Sequence, residues 1–191
     1  AFTLAEKYKH DVLLISNQKT ELEQVAQEIQ TNFGVKAVPY YCNLAKQDAA
    51  KEIYDWCGEN KIEVDILINN AGMFFWQPLI DVAPEKIATI LNLHMLTLTM
   101  LCRYFAKDMT LHRRGWILNM ASMTAWMSMP GIQCYNATKA YVNNFSKSLW
   151  YELKPFGVKV LTLTPGAIDT PLYGLDDKKR RLLVRFGISY T

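Results

Sequence analysis

Short apolar runs alternate with helical stripes along most of the chain. Val12 to Ser16 (V-L-L-I-S) is a continuous apolar run, the mark of a strand buried on both faces. Lys19 to Thr31 places Leu22, Val25, Ala26 and Ile29 on one side of a helix. Val35 to Tyr41 alternates as a strand, and Pro39 suits an edge or a strand end because proline cannot donate to a ladder. Ala49 to Glu59 predicts a short helix with Ile53 and Trp56 inward. Ile66 to Ile68 predicts a short strand running into N-N-A-G at Asn69 to Gly72. Pro84 to Met109 predicts one long helix, apolar on most faces and therefore covered on more than one side. Trp116 to Ala121 is the next strand, ending at Ser122. Tyr135 to Leu153 is a second long helix, and Val158 to Thr164 a further strand closed by Pro165-Gly166. The residues before Val12 read as the latter part of a helix. This alternation predicts βαβ units: an α/β fold with a parallel sheet covered by helices.

Composition narrows the class without naming a chemistry. At 191 residues, half hydrophobic and one fifth charged, the chain has the profile of one soluble globular domain. A formal charge of +3 neither demands nor excludes a polyanionic partner. Cys42, Cys57, Cys102 and Cys134 share no metal-ligand spacing and sit in apolar surroundings, so they read as reduced thiols of a cytoplasmic protein. No apolar run reaches transmembrane length, and no nucleic-acid module, zinc cluster or Walker loop is present. His10, His94 and His112 are scattered and suggest core or surface roles. Lys178 to Arg185 (K-K-R-R-L-L-V-R) is a basic run, read either as the solvated face of a mobile flap or as a contact for an anionic substrate or a membrane surface. Met73 to Trp76 is unusually apolar for a loop. It either packs over the sheet edge or walls an apolar pocket.

The candidate chemistry centres on Tyr135 and Lys139. At i and i+4 on a helix, both side chains rise from one face. An ammonium beside a phenol favours the phenolate and makes a general acid/base usable nearer neutral pH. Ser122, at the end of a strand, offers a hydroxyl to a substrate oxygen. By itself such a pair is also compatible with a half-buried tyrosine and a solvated lysine.

Five features then occur in order: Asn69-Asn70-Ala71-Gly72, Asn92, Ser122, Tyr135-x-x-x-Lys139 and P-G-A-I-D-T at Pro165 to Thr170. The set, with thirteen positions from serine to tyrosine, resembles the classical short-chain dehydrogenase/reductase family. The resemblance implies a Rossmann-type doubly wound parallel sheet over residues 1–191, a single dinucleotide-binding oxidoreductase domain. The family's first strand with its glycine turn, and its C-terminal strand, are expected to be missing, leaving the domain incomplete at both ends. It implies catalytic roles for Asn92, Ser122, Tyr135 and Lys139, with Asn92 supporting a water relay at a helix irregularity. It implies a cofactor surface of Ser16, Asn17, Asn43, Asn69, Asn70, Ala71, Gly72, Tyr135, Lys139, Pro165, Gly166, Ile168 and Thr170, and no metal. Relatives that prefer NAD carry an acid where this chain has Ser16, so NADP is the expected cofactor and NAD the alternative. The expected activity is reduction of an apolar ketone or aldehyde, such as a 3-oxoacyl or steroid-like compound. The alternative is a non-catalytic dinucleotide sensor or scaffold of the same fold. The two long apolar helices suggest a homodimer or homotetramer.

Overall fold

Some helices of this chain end where a residue turns left-handed. In the computed structural model, which describes residues 1–168 and Leu172, α1 (Phe2–Tyr8) stops at Lys9 and α2 (Lys19–Phe33) stops at Gly34, both with positive φ. Between and after them lie β1 (Val12–Ser16) and β2 (Ala37–Tyr41), a parallel pair in register from Val12 opposite Ala37 to Ser16 opposite Tyr41. Ala5, Ala26, Ile29 and Ala37 form the buried centre of this first unit, Ala1–Leu44. The small alanines let the helices approach the strands closely, and Ile29 fills the space between them.

A second compact unit begins at Ala45. It contains α3 (Ala49–Glu59), β3 (Ile66–Asn69), α4 (Pro84–Leu91), α5 (Leu98–His112), β4 (Gly115–Met120), α6 (Gln133–Leu153) and β5 (Val158–Leu163). Its sheet has the order β3-β4-β5, all parallel, with β4 in the middle. Gly115, Ile117 and Asn119 of β4 are buried at every second position, the period of a strand packed on one face. The turns that start β4 and β5 interlock. A Cβ on Gly157 (φ 77°) would lie 2.5 Å from the carbonyl oxygen of Arg113, and Arg113 Nη2 donates to the Pro155 carbonyl at 3.1 Å.

The expected fold, one doubly wound sheet lacking its first and last strands, is corrected by this pairing. The Rossmann-type parallel pattern is carried by β1 to β5, and each strand is hydrogen-bonded to a neighbour in a two-stranded or a three-stranded sheet. Among the described residues no strand is left with both edges bare. Alternation of apolar runs gives the direction of strands but not their partners, and partners are what define a sheet. The predicted helix Pro84 to Met109 is also not one α-helix. A π turn, Asn92–Thr97, separates α4 from α5. Strand β2 begins at Ala37 rather than Val35. Thr170 and the basic run Lys178 to Arg185 lie outside the described residues.

Candidate active site

The C-terminal ends of β3, β4 and β5 carry the chemistry-bearing side chains of the second unit. On α6, Tyr135 and Lys139 are one turn apart and both buried, 7% and 5% exposed. The Lys139 ammonium lies 5.6 Å from the centroid of the Tyr135 ring and donates to the carbonyl of Met120, the last residue of β4, at 2.8 Å. Burial pulls the Lys139 pKa down from 10.5 to about 8, because water no longer solvates the charge fully.

Ser122 follows β4 by two residues and is also buried. Its Oγ accepts from the Thr124 N–H at 3.2 Å, which caps a 3-10 turn, Met123–Trp126, packed against α6. An oxygen that accepts on one side keeps its own O–H to donate on another. The Met123 N–H donates to the Pro165 carbonyl at 2.9 Å, so the Ser122 turn and the Pro165–Gly166 segment after β5 are tied together. Gly166 is half-buried and Ile168 is 39% exposed.

At the end of β3 the side chain of Asn69 turns inward. Its Nδ2 donates to Asn119 Oδ1 at 2.8 Å, Asn119 Nδ2 donates to Ser146 Oγ at 2.9 Å, and the Ser146 hydroxyl donates to the Val142 carbonyl at 2.7 Å. The register puts Asn69 opposite Asn119, so this ladder crosses from β3 to β4 to α6. Cys102 Sγ also lies beside both amides, and burial pushes its thiol up to about 12. Asn70, Ala71 and Gly72 then come to the surface. A Cβ on Gly72 would stand 3.2 Å from His94 Nε2 and 4.0 Å from Lys139 Nζ. The glycine therefore leaves a small cradle beside the lysine.

His94 is the residue the sequence reading missed. It is 2% exposed, in the π turn, against the ring of Tyr135 at 5.9 Å between centroids. Its Nε2 accepts from the Met73 N–H at 3.0 Å and its Nδ1 lies 2.9 Å from Thr138 Oγ1. Burial, and secondarily the Lys139 charge, hold its pKa down at about 3. Asn92, two positions earlier, lies nearly on the other side of the helix. It is half-buried and lines a shallow groove with Leu91, Met95, Leu96, Thr99 and Tyr141. A buried polar side chain amid L-N-L-H-M-L needs partners. That signal applied to His94 as much as to Asn92.

The apolar loop after Gly72 packs inward at Phe74 and Phe75 and is exposed at Trp76. Phe75 is buried in a cluster with Val82, Ile90, Ile132 and Tyr135, and Phe74 meets the Tyr135 ring edge-on at 5.1 Å. Trp76 is 65% exposed, and it lies against Gly131 so closely that a Cβ there would come within 2.5 Å of its Nε1. Trp126 and Met127 are exposed as well, 63% and 42%.

In the first unit, Ser16 closes β1, with its Oγ accepting from the Gln18 N–H at 3.1 Å. Its carbonyl accepts from the Cys42 N–H at 3.0 Å, so Asn17 and Asn43 follow the ends of adjacent strands. Among the described residues no helix is long and apolar enough to cross a membrane. Cys42, Cys57 and Cys102 are buried, in no disulfide, and Cys134 is half-buried.

Known proteins share this arrangement. The chain is 31% identical over 172 residues to the human very-long-chain 3-oxoacyl-CoA reductase, covering 87% of this chain and 54% of that protein. It is 30% identical over 177 residues to mouse 17-beta-hydroxysteroid dehydrogenase type 3, covering 90% and 56%. The chain thus spans about half the length of the curated relatives it matches. A short-chain dehydrogenase from Sphingobium yanoikuyae in complex with NADPH superposes with a TM-score of 0.84 at 26% identity, over 98% of this chain and 78% of that one. The short chain dehydrogenase family model matches residues 1–181. That match, running from the first helix past the strand-end loops that gather Ser122, Tyr135 and Lys139, makes this chain a member of the short-chain dehydrogenase family.

Proposed function

We propose that this chain is the dinucleotide-binding and catalytic domain of an oxidoreductase that interconverts a ketone and a secondary alcohol. The observation that carries the reading is the buried Tyr135–Lys139 pair, with Lys139 held by the Met120 carbonyl and Ser122 two residues beyond it. A positive charge 5.6 Å from the ring stabilises a phenolate. Tyr135 can therefore give its proton to a carbonyl oxygen in reduction, or take one from an alcohol in oxidation. Ser122, already accepting from Thr124, has its O–H to hold the same oxygen in place. Asn92, on the groove side of its helix, is assigned no step.

A nicotinamide dinucleotide, when bound, supplies or takes the hydride. The residues present fit such a group. Gly72 leaves a cradle beside Lys139, and Asn70, Ala71 and Gly72 are exposed where a ligand could approach the backbone. Asn69, Tyr135, Lys139, Pro165, Gly166 and Ile168 would complete the holding surface in the second unit, and Ser16, Asn17 and Asn43 in the first. Without an acid at position 16 a 2′-phosphate meets no repulsion, which favours NADP over NAD. The NADPH carried by the Sphingobium yanoikuyae relative supports the same choice.

The exposed Trp76, Trp126 and Met127 support an apolar substrate of some bulk. The names of the relatives, a 3-oxoacyl-CoA reductase and a hydroxysteroid dehydrogenase, point the same way. Self-association is proposed through the outer side of α4 and the π turn, where Leu91 and Leu96 are 39% and 37% exposed, and light scattering tests it. Function is tested by titrating the full chain with NADPH and NADH, following nicotinamide fluorescence, and then assaying bulky ketones. Tyr135→Phe is expected to keep dinucleotide binding and lower turnover by about 10²-fold or more. Near-full activity of that variant would overturn the mechanism. Binding by the unaltered chain without turnover of any ketone would favour the sensor.

A further inference from the structure

We propose that His94 is a positioning residue of this site: a neutral imidazole, fixed as one tautomer, that fastens the loop after β3 to the helix carrying Tyr135 and Lys139. The inference rests on the reading of Tyr135 and Lys139 given above and adds a residue that reading does not contain.

The hydrogen bonds around His94 run in one direction only. The Met73 N–H can only donate, so Nε2 is the accepting nitrogen. The ring proton is then on Nδ1 and donates to Thr138 Oγ1 at 2.9 Å. The Thr138 hydroxyl in turn donates to the Tyr135 carbonyl at 2.8 Å. Each group in the chain has one role, and reversing any one would set two donors against each other. A second ring proton would point at the Met73 N–H, 3.0 Å away, inside a site that already holds the Lys139 ammonium. The imidazole therefore stays uncharged and adds no positive charge beside the lysine, in keeping with its depressed pKa.

The two ends of this chain of bonds are functional in the proposed site. Met73 is the first amide after the Asn69 to Gly72 segment, and the next side chain, Phe74, packs edge-on against Tyr135. Thr138 stands between Tyr135 and Lys139 on α6. His94 touches neither substrate nor hydride path in this arrangement. It sets the distance between the surface that would hold the dinucleotide and the phenol that would move the proton. The π turn is what lets a side chain from this helix reach both, because it rotates His94 inward between the flanking α-helices.

The test separates the two ends. Nitrogen NMR of the imidazole in the full chain should show the Nδ1–H tautomer, unchanged between pH 8 and pH 5. A ring that titrates in that range, or carries its proton on Nε2, overturns the proposal. His94→Leu keeps the bulk and removes both bonds. It should speed hydrogen exchange at the Met73 amide and raise KM for NADPH while lowering kcat, each about tenfold, the scale of one buried hydrogen bond. His94→Gln offers an oxygen to Met73 and should restore the exchange rate and KM but not kcat. Thr138→Val should lower kcat alone, and Thr138→Ser should recover it. If Leu and Gln at position 94 behave alike in Met73 exchange and in KM, His94 is only a core histidine and the proposal fails. If the unaltered chain turns over no ketone, the Tyr135 mechanism falls, while the tautomer and the Met73 exchange still decide the role of His94.

Discussion

Two histidines on one helical run show how differently the two ends of the three-stranded sheet are built. His94 lies at the end where β3 and β4 finish, with its nitrogens on a backbone amide and a threonine hydroxyl. His112 lies where β4 starts. There Glu63 Oε1 meets His112 Nδ1 at 3.0 Å and Arg114 Nη2 at 3.1 Å, and Asp65 meets Arg114 Nε at 3.1 Å, all about half-exposed. Beside them is a cleft of about 460 Å³ floored by Phe105 and Met109. This end has a cleft and several charges, yet water and salt screen those charges, and exposed pairs contribute little. At the other end, among the described residues, Lys139 has no ion pair, but burial moves both Lys139 and His94 far from their ordinary pKa values. Displaced pKa values, rather than hollows, mark where proton chemistry is prepared.

The comparison is sharpest in acid. The folded chain holds His94 neutral down to about pH 3, whereas an unfolded chain protonates it near 6.5. Between those values the unfolded state binds the extra proton, so this stabilisation is fully present above pH 6.5 and is lost as pH falls toward 3. The loss attributable to His94 by pH 4 is about 3 kcal/mol, at roughly 1.4 kcal/mol per pKa unit. Urea midpoints taken at pH 7 and pH 4 should fall more for the unaltered chain than for His94→Gln. Equal falls would erase the contrast.

A smaller effect is expected in the amide ladder. Asn119→Ala strands the Asn69 amide and removes the partner of Ser146 in a fully buried place, which should cost about 2 kcal/mol in urea unfolding. The smallest belongs to the exposed end. Glu63→Gln should change stability by less than about 1 kcal/mol, and the change should shrink further in high salt. A loss at Glu63 as large as that at Asn119 would show that the charged end is the stiffer one.

Local structure was legible wherever one stripe or one run decides an element. Val12–Ser16 and Ala49–Glu59 have the bounds that their apolar patterns predict, although every residue of Val12–Ser16 is half-buried and Cys57, not Trp56, is buried with Ile53. Tyr135 and Lys139 fall on one helix face for the same reason, since spacing alone puts them there. The π turn leaves no trace in the apolar pattern; the expectation of a helix irregularity at Asn92, where the turn begins, comes from the family resemblance alone. The turn changes which carbonyl an amide meets, and no side-chain period records that. Helix rotation at that turn decides which side chain faces inward, and this is what hid the burial of His94. The division into two sheets was equally hidden. Each apolar run states that a strand is buried, and only the folded backbone states beside what.

The interlock of Gly157 with Arg113 has a consequence for how such a domain can change. The carbonyl of Arg113 occupies the space that any side chain at 157 would need, so the two turns form a single joint. Lengthening or recolouring either one forces an adjustment in the other. The segments at the opposite edge, after Gly72 and Ser122, are joined by single backbone hydrogen bonds, Gln77 to Gly131 and Met123 to Pro165, and among the described residues no backbone carbonyl there fills a glycine's side-chain space as Arg113 does. New specificities can therefore be written at the reactive rim while the hinge side of the sheet stays as it is.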